Sequence, residues 1–122
     1  MTTTSTGYDL SELHFTEQPE IKVTPPGPKS RKLLDKQKEL ESSAVSYPRS
    51  TPLAIDEARG ATLRDLDGNI YLDFFGGAGV LNVGQLNPLA VKAVEEQLGS
   101  LVHALDFPTE VRTELAEKLL SI

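Results

Sequence analysis

Cysteine is absent from all 122 residues. That absence excludes disulfides, thiolate nucleophiles and Cys-type zinc sites together, and it suits a reducing compartment. Tryptophan is absent too, and histidine is scarce. His14 and His103 stand alone, with no second His or carboxylate at a ligand spacing such as H-E-x-x-H, so no metal site is expected. No apolar run approaches the ~18 residues of a membrane-spanning helix. The N-terminal stretch MTTTSTGYDLSELHFTEQPE lacks the basic and apolar regions of a signal peptide and is too acidic for a transit peptide. The expected location is the cytoplasm. Positive charge is thin as well. Residues 61–122 hold nine acids against four bases, and the whole chain carries a net charge of -6. No basic cluster could follow a phosphate backbone, so nucleic acid is not an expected partner.

What is present is ordinary for a small globular domain. With 39% hydrophobic and 25% charged residues, the chain is neither fibrous nor wholly disordered. Residues 1–27 read as a mobile N-terminal arm, rich in Thr and Ser and closed by the proline run TPPGP. Residues 28–52 read as a helix and a loop. Leu33, Leu34, Gln37, Leu40 and Ala44 fall at helical spacing, with Pro28 in the first turn. Arg31–Asp35 and Lys38–Glu41 are placed to pair along the exposed face. In SYPRSTP, two prolines argue against any helix. Residues 53–86 read as a three-stranded antiparallel meander followed by a glycine-rich segment. Its strands are Leu53–Ile55, Ala61–Arg64 and Ile70–Phe74, separated by Gly60 and the turn DLDGN. Residues 87–122 read as two helices. Asn87 and Pro88 take the N-cap and first position of one, and Gly99 breaks it. Ala90, Val91, Val94, Leu98, Leu101 and Val102 are its expected buried stripe. DFPTE opens the last helix, whose stripe of Val111, Leu115, Leu119 and Ile122 has no C-cap signal after it and reads as cut short. The class is α+β.

Several patterns come close to known sites and fail. GVLNVGQL has the glycine spacing of a phosphate loop, but Gln85 and Leu86 stand where Lys and Ser or Thr are needed. Asn82 occupies the third glycine position of G-x-G-x-x-G. DLDGNIYLD offers Asp65, Asp67, Asn69 and Asp73 as oxygen donors, but its glycines do not fall at the positions of a calcium loop. Asp-Gly and Gly-Asn make a hairpin turn there. The run Gly76-Gly77-Ala78-Gly79 leaves two readings open: a kinked connection between strand and helix, or a pocket wall where backbone passes close to a small ligand. The seven lysines lie on the arm or on charged helix faces, and none has the desolvated setting that activates a Schiff-base lysine.

The run "PPGPKSRKLLDK … ARGATLRDLDGNIYLDFFGGAGVLNVGQLNP" resembles the N-terminal segment of the class III aminotransferases. These are the pyridoxal-phosphate enzymes that include 4-aminobutyrate, ornithine and diaminobutyrate transaminases; some amino-acid racemases share the segment. The resemblance covers residues 25–122. It implies the N-terminal part of an α/β, fold-type I transferase, whose large domain with its parallel sheet is absent here. It implies a homodimer that moves an amino group from an amine or amino acid to a 2-oxo acid. By the resemblance Ala78 and Val80 line the substrate pocket and Ser50 lies near it. Gln85 departs from the family's usual His. The S-G-x-E-A phosphate segment, the carboxylate for the pyridine nitrogen and the cofactor's lysine belong beyond residue 122. No catalytic or cofactor-binding residue is therefore expected in this chain, which alone should be inactive. Two alternatives remain open: a non-catalytic truncated remnant, and part of a racemase. Ala78 is smaller than the Ile or Tyr of several relatives, which implies a roomier pocket.

Overall fold

The computed structural model of the chain describes residues 11, 13–42 and 44–122. The first ten residues of the expected arm lie outside the described residues. The chain divides into two units, Met1–Leu89 and Ala90–Ile122.

The first unit is built on an antiparallel sheet of order β1-β2-β3, with β1 at Ile55–Arg59, β2 at Thr62–Asp65 and β3 at Ile70–Leu72. The meander is the one expected from the sequence, but its first strand is displaced: it begins at Ile55, where the sequence reading ended it. Asp56-Glu57-Ala58-Arg59 are weak strand formers, and pairing overrides their propensity. Glu57 faces Arg64, Ala58 faces Leu63 and Arg59 faces Thr62, and Arg64 Nη1 lies 3.0 Å from Glu57 Oε2. Gly60 turns the chain between β1 and β2 at φ 52°. A Cβ there would land on the carbonyl of Leu13.

Helix α1 spans Pro28–Glu41. Its expected face pairs take other partners. Arg31 Nη2 donates to the Pro26 carbonyl at 3.2 Å, and Glu41 accepts from Gln37 Nε2 at 2.9 Å. Tyr47–Ser50 forms one helical turn, α2. This corrects the reading that two prolines preclude helix in this stretch. Pro48 falls in the first turn, where no intrahelical N–H is required of it.

Part of the segment read as an arm lies on the sheet. Glu20 and Ile70 exchange both backbone hydrogen bonds, at 3.0 and 2.9 Å. Phe15 is buried with the Arg64 guanidinium 4.2 Å above its ring, and Arg64 also reaches Glu17 at 2.9 Å. The described core is small and mixed. Phe15, Ala54 and Ile70 are its buried apolar residues, beside buried Ser30, Thr62, Asp65 and Asn69.

The second unit holds most of α4, Pro88–Leu98, and all of α5, Glu110–Leu120. Asn87 Oδ1 accepts from the Leu89 N–H at 3.1 Å, and Thr109 caps α5 by accepting from Arg112 N–H at 3.2 Å. Gly99 follows the end of α4 as expected. The stripe expected to be buried is not: Val94, Leu98, Leu101 and Val102 are exposed, as are Val111, Leu115, Leu119 and Ile122. Periodicity makes a helix amphipathic, but burial needs a second surface.

Candidate functional site

DLDGN is a set of cross-ties, and the side-chain oxygens of Asp65, Asp67 and Asn69 all meet protein donors. Asp65 Oδ1 accepts from the N–H groups of Asp67 at 3.0 Å and Asn69 at 2.9 Å. Its Oδ2 accepts from Asn69 Nδ2 and from the Tyr71 hydroxyl, both at 2.8 Å. Asn69 Oδ1 in turn accepts from Lys22 N–H at 2.7 Å and Val23 N–H at 2.8 Å, tying the arm to the turn. Asp67 serves α1. The residue before that helix is Gly27, which has no side-chain oxygen to cap it. The Asp67 carboxylate takes the place of a cap, accepting from Lys29 N–H at 2.9 Å and Ser30 N–H at 2.8 Å.

Two titrations carry the imprint of this packing. Burial pushes the Tyr71 phenol up to about 12, and its hydrogen bond to the Asp65 carboxylate acts the same way. Burial also pushes Asp67 up, but Ser30, the Lys29 N–H and the Lys29 charge outweigh it and hold the carboxyl below its usual range.

The glycine-rich run after β3 has a specific geometry. Asp73 Oδ1 accepts from the N–H groups of Phe75 at 3.0 Å and Gly76 at 2.9 Å. The next four residues, Gly76, Gly77, Ala78 and Gly79, all have positive φ, at 55°, 61°, 61° and 83°. Gly79 N–H donates to Phe75 O at 3.1 Å and Leu81 N–H to Gly76 O at 3.0 Å. The result is one left-handed helical turn, α3, Gly76–Gly79. Left-handed backbone costs an L-residue roughly 1–2 kcal/mol, which accounts for three glycines out of four and leaves Ala78 as the strained member. Beyond it, Gly60 and Gln85 exchange backbone hydrogen bonds at 2.8 and 2.9 Å, which returns the segment to the sheet.

Of the three residues expected at a pocket, two lie on or just after this turn and the third on α2. Ala78 sits within the turn and is exposed. Val80 follows it and is 78% exposed. Ser50 ends α2, its hydroxyl donating to Tyr47 O at 3.2 Å. The two segments meet through Tyr47, which opens α2, and Phe75, which precedes α3; their rings pack edge to face with centroids 5.4 Å apart. That pair escapes the sequence analysis, and Asp73 enters it only as an oxygen donor, not as the acceptor for the entry to this turn. The signal for Asp73 was legible as an Asp just before a glycine turn. The ring pair joins distant residues and left no local mark. Gln85 enters through its backbone, not as a reactive side chain.

All seven lysines are exposed. Concavities of about 920 Å³ and about 670 Å³ lie along α1 and are not lined by Ser50, Ala78 or Val80. Among the described residues no group of three or more His, Asp or Glu could hold a metal ion. Among them also, no helix is long and apolar enough to cross a membrane.

The profile of the family described as Aminotransferase class-III matches residues 43–122. Among curated proteins, the diaminobutyrate-2-oxoglutarate aminotransferase of Haemophilus influenzae is 41% identical over 90 residues, which is 72% of this chain and 20% of that protein. The alanine/serine racemase of Pyrococcus horikoshii is 34% identical over 113 residues, 91% of this chain and 24% of that protein. The corresponding Rhizobium meliloti aminotransferase is 42% identical over 81 residues, 65% of this chain and 17% of that protein. The chain thus spans between a sixth and a quarter of the length of these relatives.

Proposed function

The chain belongs to the class-III aminotransferase family, and from that premise we propose that it is the N-terminal part of an enzyme moving an amino group from an amine or amino acid to a 2-oxo acid. Its place would be in a fold-type I transferase that works as a cytoplasmic homodimer with pyridoxal phosphate. The observation that carries the reading is the exposed turn bearing Ala78 and Val80, locked to the segment bearing Ser50 by the Tyr47–Phe75 pair, all within the matched stretch. On this reading the surface flanks a bound amino donor without reacting with it.

Pyridoxal phosphate supplies the electron sink for amino transfer when bound. It needs a lysine in a desolvated setting, and every lysine of this chain is at the surface. On this reading the cofactor's lysine is supplied by another part of the enzyme. The contribution of these residues is a wall: they exclude water on one side and limit the size of the donor. The division into domains follows the same reading. The arm (1–27) and helix and loop (28–52) lead into a small domain built on the meander and glycine-rich segment (53–86), and the helices (87–122) lead toward a large domain.

The names of the relatives suggest diaminobutyrate and 2-oxoglutarate as the first substrate pair to try. Glutamate formation from that pair is expected from a chimera in which this chain replaces the matching fifth of the Haemophilus enzyme, and not from the chain alone. Turnover by the chain alone would overturn the wall reading. A second reading, part of a racemase, draws on the racemase match over 91% of the chain. Loss of optical activity from L-alanine in the matching Pyrococcus chimera, with no glutamate formed by the first, would favour it.

A further inference from the structure

The left-handed turn is an improbable conformation for four consecutive residues, and something must hold it. Glycine removes most of the steric penalty but stabilises no particular conformation, since it samples both hands freely. The backbone bonds inside the turn form only once the turn exists. Among the described residues, the side chain whose hydrogen bonds engage its entry is Asp73. A single oxygen of that carboxylate takes the N–H groups of Phe75 and Gly76, at 3.0 and 2.9 Å. Charge-assisted bonds of this kind are roughly twice as strong as neutral ones. Asp73 is itself fixed to the sheet, its N–H donating to Ala61 O at 2.8 Å. The chain of contacts therefore runs from Ala61, just before β2, through Asp73 to Phe75, from Phe75 to the Tyr47 ring of α2, and from Gly76 into the turn bearing Ala78.

We propose that Asp73 is a positioning residue for donor selection: it touches no substrate, but its carboxylate fixes the hand of the turn and so sets where Ala78 and Val80 stand against Ser50. This rests on the wall reading above. Asparagine keeps an oxygen in the same place and can accept the same two N–H groups; alanine cannot.

The experiment has two arms. In the chain itself, NMR reads the sign of φ at Ala78 from its HN–Hα coupling and intraresidue cross-peak, and the Tyr47–Phe75 ring contact from cross-peaks. Asp73→Ala should lose both signatures and Asp73→Asn should keep them. In the complete enzyme, kcat/KM is compared for a short and a long ω-amino donor. Misplacing a wall by about 1 Å can cost on the order of a hundredfold, so Asp73→Ala should change the ratio of the two donors by about tenfold or more. Asp73→Asn, which keeps an oxygen acceptor there, should hold the ratio closer to wild type than Asp73→Ala does. A merely destabilised enzyme would lose activity on both donors alike and leave the ratio unmoved. An unchanged ratio in active Asp73→Ala overturns the proposal. If the complete wild-type protein transfers no amino group, the wall reading fails, and the NMR arm still decides: a turn retained in Asp73→Ala overturns the positioning role, and a turn lost supports it.

Discussion

Replacing Asp65 by Asn is the sharpest test of how the first unit is held together. The carboxylate is 1% exposed and accepts four hydrogen bonds between 2.8 and 3.0 Å. In Asp65→Asn the Oδ1 side is preserved, so the N–H groups of Asp67 and Asn69 keep their acceptor. On the other side an NH2 group replaces Oδ2. The Tyr71 hydroxyl can rotate and accept from it, but the Asn69 amide cannot, because its own Nδ2 is the donor facing that position. One buried donor is left unpaired, at a cost of roughly 1–3 kcal/mol. Asp65→Ala orphans both Asn69 donors and should cost roughly twice that. Domains hold about 0.05–0.15 kcal/mol per residue, so residues 13–89 hold on the order of 4–12 kcal/mol, and a core with three buried apolar residues belongs near the lower end. Asp65→Asn should therefore lower the urea midpoint measured by circular dichroism, and Asp65→Ala should abolish the cooperative transition. Alkaline absorbance titration gives an independent reading: Tyr71, held at about 12, should fall toward the ordinary tyrosine value of about 10. A wild-type midpoint together with an unmoved Tyr71 in Asp65→Asn would refute the reasoning.

Ala78→Gly should stabilise the chain by about 0.5–1 kcal/mol. Relief of a left-handed alanine, worth roughly 1–2 kcal/mol, is partly offset by the unfolded-state entropy of glycine; a lower urea midpoint would contradict this. Ala78→Ile places a β-branched side chain at φ 61° and should lower the midpoint, so any donor preference it shows must be read against the Ala78→Gly variant. Gly60→Ala should cost about 2 kcal/mol or more, since left-handed strain adds to a clash with the Leu13 carbonyl; a melt unchanged from wild type would refute that contact. Two pH effects follow from linkage. The Asp67 contribution is complete above its unfolded value of 3.8 and is lost as the pH falls through the lower folded value; Asp67→Asn should flatten that acid limb. The Tyr71 contribution is complete below 10 and is lost as the pH rises to about 12; Tyr71→Phe should remove that alkaline limb.

Much of the secondary structure was legible because its causes are local. Apolar spacing revealed α1, α4 and α5, and DLDGN revealed the turn between β2 and β3. What escaped depends on distant partners. β1 is displaced because Glu57 and Arg59 answer to Arg64 and Thr62 across the ladder, not to their own propensities. The helical turn at Tyr47–Ser50 uses Pro48 where a proline is tolerated, a distinction that composition does not make. At the candidate site, the glycine run was visible but not its hand: nothing in the letters of Gly-Gly-Ala-Gly says that Ala78 will take positive φ. Ser50, Ala78 and Val80 entered through a resemblance, whereas the Tyr47–Phe75 pair and the hold of Asp73 on the turn emerged only from geometry.

The cap that Asp67 gives α1 has a consequence for the order of assembly. Lys29 and Ser30 leave the ribosome well before their acceptor, which lies 38 and 37 residues further along the chain. A helix of this length is marginal by itself in water, so its first turn stays frayed until the hairpin that carries Asp67 has closed. The chain is thus made from its N-terminus and sets from its middle.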